Sequence, residues 1–284
     1  MLHLAEQPAP ARRPRLHVGL AQCESEIREA QRLRYRIFAE ELGARLPTRM
    51  PGIDIDLYDP YCEHLIVRDE ANGRIVGTYR ILSPQSAKRT GGYYSENEFD
   101  LTRLQLLREG MVEIGRSCID PDYRTGGTIA LLWSGLAHYM TQGGYRTLIG
   151  CASIGMADGG HIAANLYRRL GEHMAPPEYR VFPRHPLPVE QLFNGQQAEL
   201  PPLIKGYLRA GAYVGGEPAW DPDFNTADLL IMLPMARVDG SAEALHLACI
   251  GEGDGRAEGI ELEFAWRPIH AWRALVQEGA VQQQ

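Results

Sequence analysis

Hydrophobic spacing predicts an amphipathic helix over residues 25–42. Its apolar positions, among them Ile27, Leu33 and Phe38, recur at the three- and four-residue intervals of a helix. Ser25 is a suitable N-cap residue, and Gly43 follows the last periodic position, where glycine commonly ends a helix. Apolar and polar positions at the same spacing predict further helices over 128–142, 161–170 and 203–210.

Alternating and continuous apolar runs predict the strands. Residues 64–68 and 75–82 form a predicted hairpin, because Asn72-Gly73 lies between them and favours a tight turn. Three further strands are predicted over 111–119, 145–153 and 229–233. Residues 45–61, rich in Pro, Gly and Asp, are predicted as a long ordered loop.

The order of these elements mixes hairpin pairing with strand–helix–strand connections. It therefore predicts a mixed α/β (α+β) fold with antiparallel and parallel strands in one sheet. Residues 1–16 are predicted as a disordered leader and 17–239 as one domain. Residues 240–284 form an extension to which no role is assigned.

Composition is that of a soluble globular protein, and it narrows the classes of function. The 284 residues carry a net charge of −7, which argues against general nucleic-acid binding. No apolar run is long enough to cross a bilayer, so we expect a cytoplasmic protein. The five cysteines are scattered without a CxxC pair, which argues against a disulfide framework or a zinc site.

A glycine-rich turn lies between a predicted strand and a predicted helix. Its residues run Arg124-Thr125-Gly126-Gly127-Thr128. Backbone N–H groups at a helix N-terminus bind phosphate, glycines allow close approach, and an arginine adds donors. The alternative is a plain strand–helix turn in which glycine serves geometry alone.

Charged residues interrupt the predicted strand 111–119 at Glu113 and Arg116. Strict alternation places Glu113 and Gly115 on one face, with Ile114 and Arg116 on the other. Glu113 is either half of a structural ion pair or a base that accepts a proton from an attacking amine. The spacing leaves both interpretations open.

Three closely spaced aspartates, Asp54, Asp56 and Asp59, lie in the loop that precedes His64. They lack the glycine and terminal glutamate of a calcium loop, so they either cap turns or hold a cationic substrate. Three arginines, Arg34, Arg36 and Arg80, fall in a predicted helix and strand. Arg34 and Arg36 are either solvated or paired, and Arg80 requires an acid such as Glu113 or a loop aspartate if it is buried.

Several blocks of sequence resemble one family when taken in order. The blocks are 33–43 (LRYRIFAEELG), 54–67 (DIDLYDPYCEHLIV), 77–82 (GTYRIL), 113–116 (EIGR), 122–133 (DYRTGGTIALLW), 200–213 (LPPLIKGYLRAGAY) and 223–233 (DFNTADLLIML). They resemble the ornithine-acyl-[acyl carrier protein] N-acyltransferases, which are hemolysin-like GNAT proteins. The resemblance covers about residues 18–238. It implies a GNAT-like fold and transfer of a 3-hydroxyacyl chain from acyl carrier protein to ornithine, giving lyso-ornithine lipid, without a tightly bound cofactor.

The same blocks resemble the acyl-homoserine lactone synthases less closely, because those lack the 200–213 block. An N-acyl amino acid synthase that uses another acceptor is a close alternative. A non-catalytic domain that binds an acyl carrier or lipid, and a thioester hydrolase, stay open as further alternatives.

The resemblance implies roles for individual residues. Glu113 and Arg116 are expected in catalysis. Residues expected to contact the substrate are Arg34, Phe38, Asp54, Asp56, His64 and Arg80, with the two aspartates at its cationic end. Residues expected to bind the phosphopantetheine phosphate are Arg124, Gly126, Gly127 and Thr128.

Ile129 departs from the usual GNAT loop, which has glycine or alanine at that position. Its side chain crowds the place of a coenzyme A pyrophosphate and is compatible with a carrier-protein donor, whose pantetheine has a single phosphate. The expected partners are acyl carrier protein and an amino acid, with no metal. Peripheral contact with the inner face of the membrane stays open.

Overall fold

The computed structural model describes residues 15–124 and 126–238. Its strands are β1 Leu16–Leu20, β2 Glu63–Asp69, β3 Ile75–Leu82, β4 Phe99–Asp100, β5 Met111–Ile119, β6 Thr147–Gly155, β7 Phe182–Pro183, β8 Tyr213–Val214, β9 Ala219–Asp221 and β10 Thr226–Pro234. Its α-helices are α1 Glu24–Tyr35, α2 Pro84–Thr90, α3 Gly126–Gln142, α4 His161–Arg169, α5 Val189–Leu192 and α6 Pro202–Arg209.

Shorter helical segments lie between these elements. A π-helical turn, Arg36–Glu41, continues α1. The 3₁₀ segments are Asp59–Tyr61, Tyr94–Asn97, Thr102–Gly110, Pro121–Tyr123, Gly171–His173, Pro177–Tyr179 and Met235–Arg237.

One mixed sheet organises the described residues. Its strands follow the order β1-β2-β3-β5-β6-β10-β8, and β9 pairs with β10. Every neighbouring pair in this order is antiparallel except β5 and β6, which run parallel. β4 and β7 form a separate two-stranded sheet. The mixed α/β fold is confirmed.

Helix α3 is apolar around most of its circumference and lies against the strands β1, β2 and β3. Leu132 and Trp133 are buried in the main core cluster together with Leu65 of β2. Gly135 permits this close packing, because a Cβ there would lie 2.9 Å from side-chain atoms of Leu65 and Val18. The helix is therefore fixed tightly behind the first half of the sheet.

Helix α1 covers the sheet with its apolar stripe of Ala30 and Leu33, continued by Ile37. Acidic residues in its first turn and basic residues in its last turn match the helix dipole. Arg34 shares the inward side and is fully buried. Helix α1 thus carries a charge into the interior beside the sheet.

Several predicted boundaries require correction. The first helix begins at Glu24 after Cys23, ends at Tyr35 and becomes the π-helical turn. Helix α3 begins at Gly126, two residues before the predicted start, so the glycines belong to its first turn. Strand β6 extends to Gly155, and strand β10 begins already at Thr226. The two strands pair with each other, and this pairing keeps in the sheet residues whose apolar pattern is too weak to predict a strand.

Strand β1 was not predicted, since its five residues are too few for a clear periodicity. The predicted leader apart from Arg15 and Leu16, and the extension 240–284, lie outside the described residues. Among the described residues, no helix is both long and apolar enough to span a bilayer.

Candidate active site

The two parallel strands separate and leave a cavity between them. Pairing of β5 with β6 begins at Met111 and Thr147 and extends only to Glu113 and Ile149. Residues beyond this point on both strands line a cavity of about 260 Å³. The parallel pair therefore opens into a cleft in the middle of the sheet.

One part of the cavity wall is apolar. Leu148, Leu203, Tyr207 and Ile231 contribute to it. Tyr207 stacks on Trp133 with ring centroids 4.9 Å apart. A second, much smaller void behind these residues shares Leu148 and Tyr207 with the main cavity, so apolar surface continues from the cleft toward the core.

A bulge in β5 alters the alternation of its side chains. Arg80 of β3 pairs with Gly115, whereas Thr78 pairs with Cys118, which leaves one extra residue on β5. Arg116 accommodates it with φ of 49°, in the left-handed region. The side chains of Glu113 and Arg116 both line the cavity. The predicted strict alternation does not hold past Gly115, because the bulge changes the register there.

Glu113 is buried and hydrogen-bonded to the 3₁₀ segment Tyr94–Asn97. One carboxylate oxygen accepts the N–H of Tyr94 at 2.6 Å. The other accepts the N–H of Ser95 at 2.7 Å and also the Ser95 hydroxyl. Burial raises the pKa of Glu113, while these donors oppose the increase. Its hydrogen-bond partners among the described residues are neutral N–H and O–H donors, which fix the carboxylate relative to Tyr94 and Ser95.

The three loop aspartates meet three arginines in what we call the aspartate–arginine cluster. Its members are Arg34, Asp54, Asp56, Asp59, Arg80 and Arg116. Arg34 Nε donates to Asp54 Oδ2 at 2.8 Å, and Arg34 Nη2 donates to Asp59 Oδ1 at 2.7 Å. Arg80 Nη1 donates to Asp56 Oδ2 at 2.6 Å and to Asp59 Oδ2 at 3.0 Å. The formal charges balance inside the cluster.

The pairing with arginines lowers the pKa of Asp59. Burial alone would raise the pKa of Asp59, but the guanidinium groups of Arg34 and Arg80 outweigh burial and hold it well below its usual range. We expected Asp54 and Asp56 to hold the substrate's cation. Instead each meets a guanidinium group, and neither lines the cavity.

Arg116 is the member of the cluster with the longest contacts. Its Nε lies 3.3 Å from Asp54 Oδ2, and its Nη2 lies 3.5 Å from Asp56 Oδ2. Its guanidinium also lies over the rings of Phe224 and Tyr94, at 4.5 and 5.1 Å from their centroids. These aromatic faces hold the guanidinium at the cavity wall.

His64 is fully buried beside the same cluster. Burial and the nearby Arg34 lower the pKa of His64 to about 3. Its ring is therefore neutral at physiological pH. The ring does not line the cavity. Phe38, in contrast, does line it and makes an edge contact with Phe224 at 5.8 Å.

The glycine-rich turn lies apart from the described lining of the cavity. Arg124 donates from Nη1 and Nη2 to the two carboxylate oxygens of Glu41, each at 2.6 Å. Gly126 is exposed, with open space where a Cβ would stand, and Gly127 is half-buried. Thr128 is buried. The phosphate-binding role of Arg124, Gly126, Gly127 and Thr128 stays a prediction.

Of the other predicted residues, Phe38, Arg80, Glu113 and Arg116 meet at the cavity, whereas Arg34, Asp54, Asp56 and His64 lie behind it. Sequence reasoning missed two carboxylates, Glu98 and Asp228, the second of which lines the cavity. Asp228 had a detectable signal, because a lone acid at the start of the apolar run LLIML is costly to bury without a purpose.

Comparison with known proteins identifies relatives of this chain. Residues 33–134 match the model of the acetyltransferase (GNAT) domain. The chain is 39% identical over 244 residues to an L-ornithine N(alpha)-acyltransferase of Agrobacterium fabrum, covering 79% of this chain and 83% of the relative. It is 36% identical over 243 residues to the protein of the same name from Brucella abortus, covering 78% and 85%. The chain belongs to the L-ornithine N(alpha)-acyltransferase family.

Membership in this family makes the chain a GNAT-type acyltransferase. Solved structures bear out the fold. A CoA-dependent acyl-homoserine lactone synthase, BjaI, with SAM and isopentyl-CoA, is 14% identical with a TM-score of 0.52, over 92% of this chain and 99% of that one.

Proposed function

We propose that the protein transfers a 3-hydroxyacyl group from acyl carrier protein to the α-amine of ornithine, which yields lyso-ornithine lipid. The observation that carries this proposal is the cleft between β5 and β6, which combines an apolar wall with the buried carboxylate of Glu113. The names of the relatives supply the acceptor.

The donor thioester would lie along β5. Its acyl chain would follow the apolar wall at Leu148 and Tyr207, toward the smaller void behind them. The phosphate of the pantetheine arm would bind near the N-terminus of α3, at Gly126, Gly127 and Thr128, with Arg124 beside it. For Arg124 to contribute, it would exchange its Glu41 partner for the phosphate.

The acceptor would bind on the polar side of the cavity. The α-carboxylate would contact Arg116, whose contacts with Asp54 and Asp56 are longer than those of the other arginines. A guanidinium in this position is suited to a carboxylate. The α-amine would then lie near Glu113.

Acyl transfer needs one proton to be moved. The neutral amine attacks the thioester carbonyl, the N–C bond forms, and Glu113 accepts the amine proton directly or through water. The C–S bond then breaks, and the pantetheine thiolate takes up the proton from Glu113, directly or through water, which returns Glu113 to its starting state. Burial raises the pKa of Glu113 and so makes it a stronger base than an exposed glutamate. The product carries a fatty chain, so we expect its release at a membrane surface.

The test is a mass-spectrometric assay of the full chain with 3-hydroxyacyl carrier protein and a mixture of amino acids. Acylated ornithine supports the proposal. Acylation of a different amino acid alone would reassign the acceptor. Formation of a homoserine lactone in the presence of S-adenosylmethionine would favour the lactone synthases. Release of free fatty acid alone would indicate a hydrolase.

A further inference from the structure

Three side chains from distant parts of the chain meet beside the cavity. Glu98 precedes β4, Cys151 lies on β6, and Asp228 lies on β10 opposite Ser153 of β6. Their ligand atoms are within 4.8 Å of one another. Cys151 and Asp228 line the cavity, and Asp228 is only 4% exposed.

The two carboxyl groups of this group interact with each other and with neutral side chains, and no cation meets them within the described part of the protein. Both oxygens of Glu98 and Oδ1 of Asp228 are buried and make no hydrogen bond of good geometry with the described residues. No arginine, lysine or histidine in that part forms an ion pair with either residue. Burial, together with the charge of Asp228, raises the pKa of Glu98 to about 10. Unsatisfied buried acceptors are rare in folded proteins and need an explanation.

The chemistry of the group favours an ammonium ion over a metal as its occupant. An ammonium carries three N–H donors, and the group offers three buried carboxyl oxygens that make no hydrogen bond of good geometry in the described structure. A metal bound through Cys151 would have to displace the proton of a thiol whose pKa burial raises well above its usual value. A primary ammonium on an alkyl stem therefore matches the group best.

The group is also connected to the proposed reaction centre. The Ser95 hydroxyl that donates to Glu113 lies 3.4 Å from Cys151 Sγ. One small molecule can therefore approach Glu113 with one amine and the acidic group with another. We infer that Glu98 and Asp228 form a subsite that binds the side-chain ammonium of a basic amino-acid acceptor, an inference that rests on the proposed acyl transfer.

The experiment compares ornithine with norvaline, which has the same carbon skeleton but lacks the side-chain amine. Binding to the full-length protein is measured by titration calorimetry, and turnover is measured separately with acyl carrier protein. We expect the wild type to bind ornithine at least about 100-fold more tightly than norvaline, because norvaline leaves the acidic group unpaired. Asp228→Asn and Glu98→Gln should each reduce this ratio about tenfold or more.

Matched controls are Asp223→Asn and Glu172→Gln, which change exposed residues outside the site and should leave the ratio unchanged. Equal binding of both amino acids by the wild type would overturn the subsite without use of any variant. An unchanged ratio in both folded site variants would do the same, as would a bound metal that those variants lose. Failure of the proposed function is separate, because it would show as absent turnover while ornithine binding persists.

Discussion

Two groups of buried carboxylates lie near the cavity, and they differ in what their neighbours supply. In the aspartate–arginine cluster, guanidinium groups contact Asp54, Asp56 and Asp59. Glu98 and Asp228 meet no cation in the described structure. Pairing lowers the pKa of Asp59, whereas burial raises that of Glu98. The first group carries its own cations, whereas the second would gain one only from a ligand.

The largest effect should come from breaking the cluster at Arg34. Arg34→Leu would leave Asp54 and Asp59 buried without their nearest cation. Removal of one partner from a buried ion pair destabilises by about 3–5 kcal/mol, so we expect that loss in urea unfolding. Arg32→Leu is the control, because Arg32 is exposed on the same helix. A loss under about 1 kcal/mol for Arg34→Leu would contradict the structural role.

Glu113 differs from both groups, because neutral N–H and O–H donors contact its carboxylate. Glu113→Gln removes the base, so we expect kcat to fall by about 100- to 1000-fold. Circular dichroism would verify that the fold is retained. Wild-type activity should also decline as the pH falls through the raised pKa, because a protonated carboxyl cannot accept a proton. Near-normal turnover by folded Glu113→Gln would exclude Glu113 as the base.

The unpaired group should reduce the stability of the ligand-free protein. The pKa of Glu98 is raised to about 10 in the folded state, so the folded protein retains a proton that the unfolded chain loses. Its contribution to stability is present below the unfolded pKa and is lost as the pH rises toward 10. Glu98→Gln should therefore stabilise the free protein at pH 8 by about 1–3 kcal/mol, with little gain at pH 4.5. A less stable Glu98→Gln protein at pH 8 would count against this ionisation.

The smallest effect is expected at His64, which lies beside the aspartate–arginine cluster. Its pKa is about 3 when folded and about 6.5 when unfolded, so the unfolded state gains the proton first. Stability should fall as the pH drops below 6.5, by about 1–2 kcal/mol near pH 5. His64→Gln should reduce this decrease, as measured by thermal unfolding at pH 5 and pH 8. An equal decrease in the variant would show that another group is responsible.

Much of the fold could be predicted from sequence because its elements carry local signals. The Asn72-Gly73 turn and the periodicity of α3 are encoded in short segments. The bulge at Arg116 was not predictable, since it depends on the pairing of β5 with Thr78 and Arg80 of β3. Glu98 and Asp228 are far apart in sequence, and only the pairing of β6 with β10 brings Asp228 next to Cys151.

The most direct test of the account is a competition assay of the wild-type protein with 3-hydroxyacyl carrier protein and equal amounts of ornithine and norvaline. Mass spectrometry identifies the acylated products and the nitrogen that carries the chain. The account predicts N(alpha)-acyl-ornithine as the dominant product, by about 100-fold or more. Equal acylation of norvaline, or no acylated amino acid from folded protein, would contradict it.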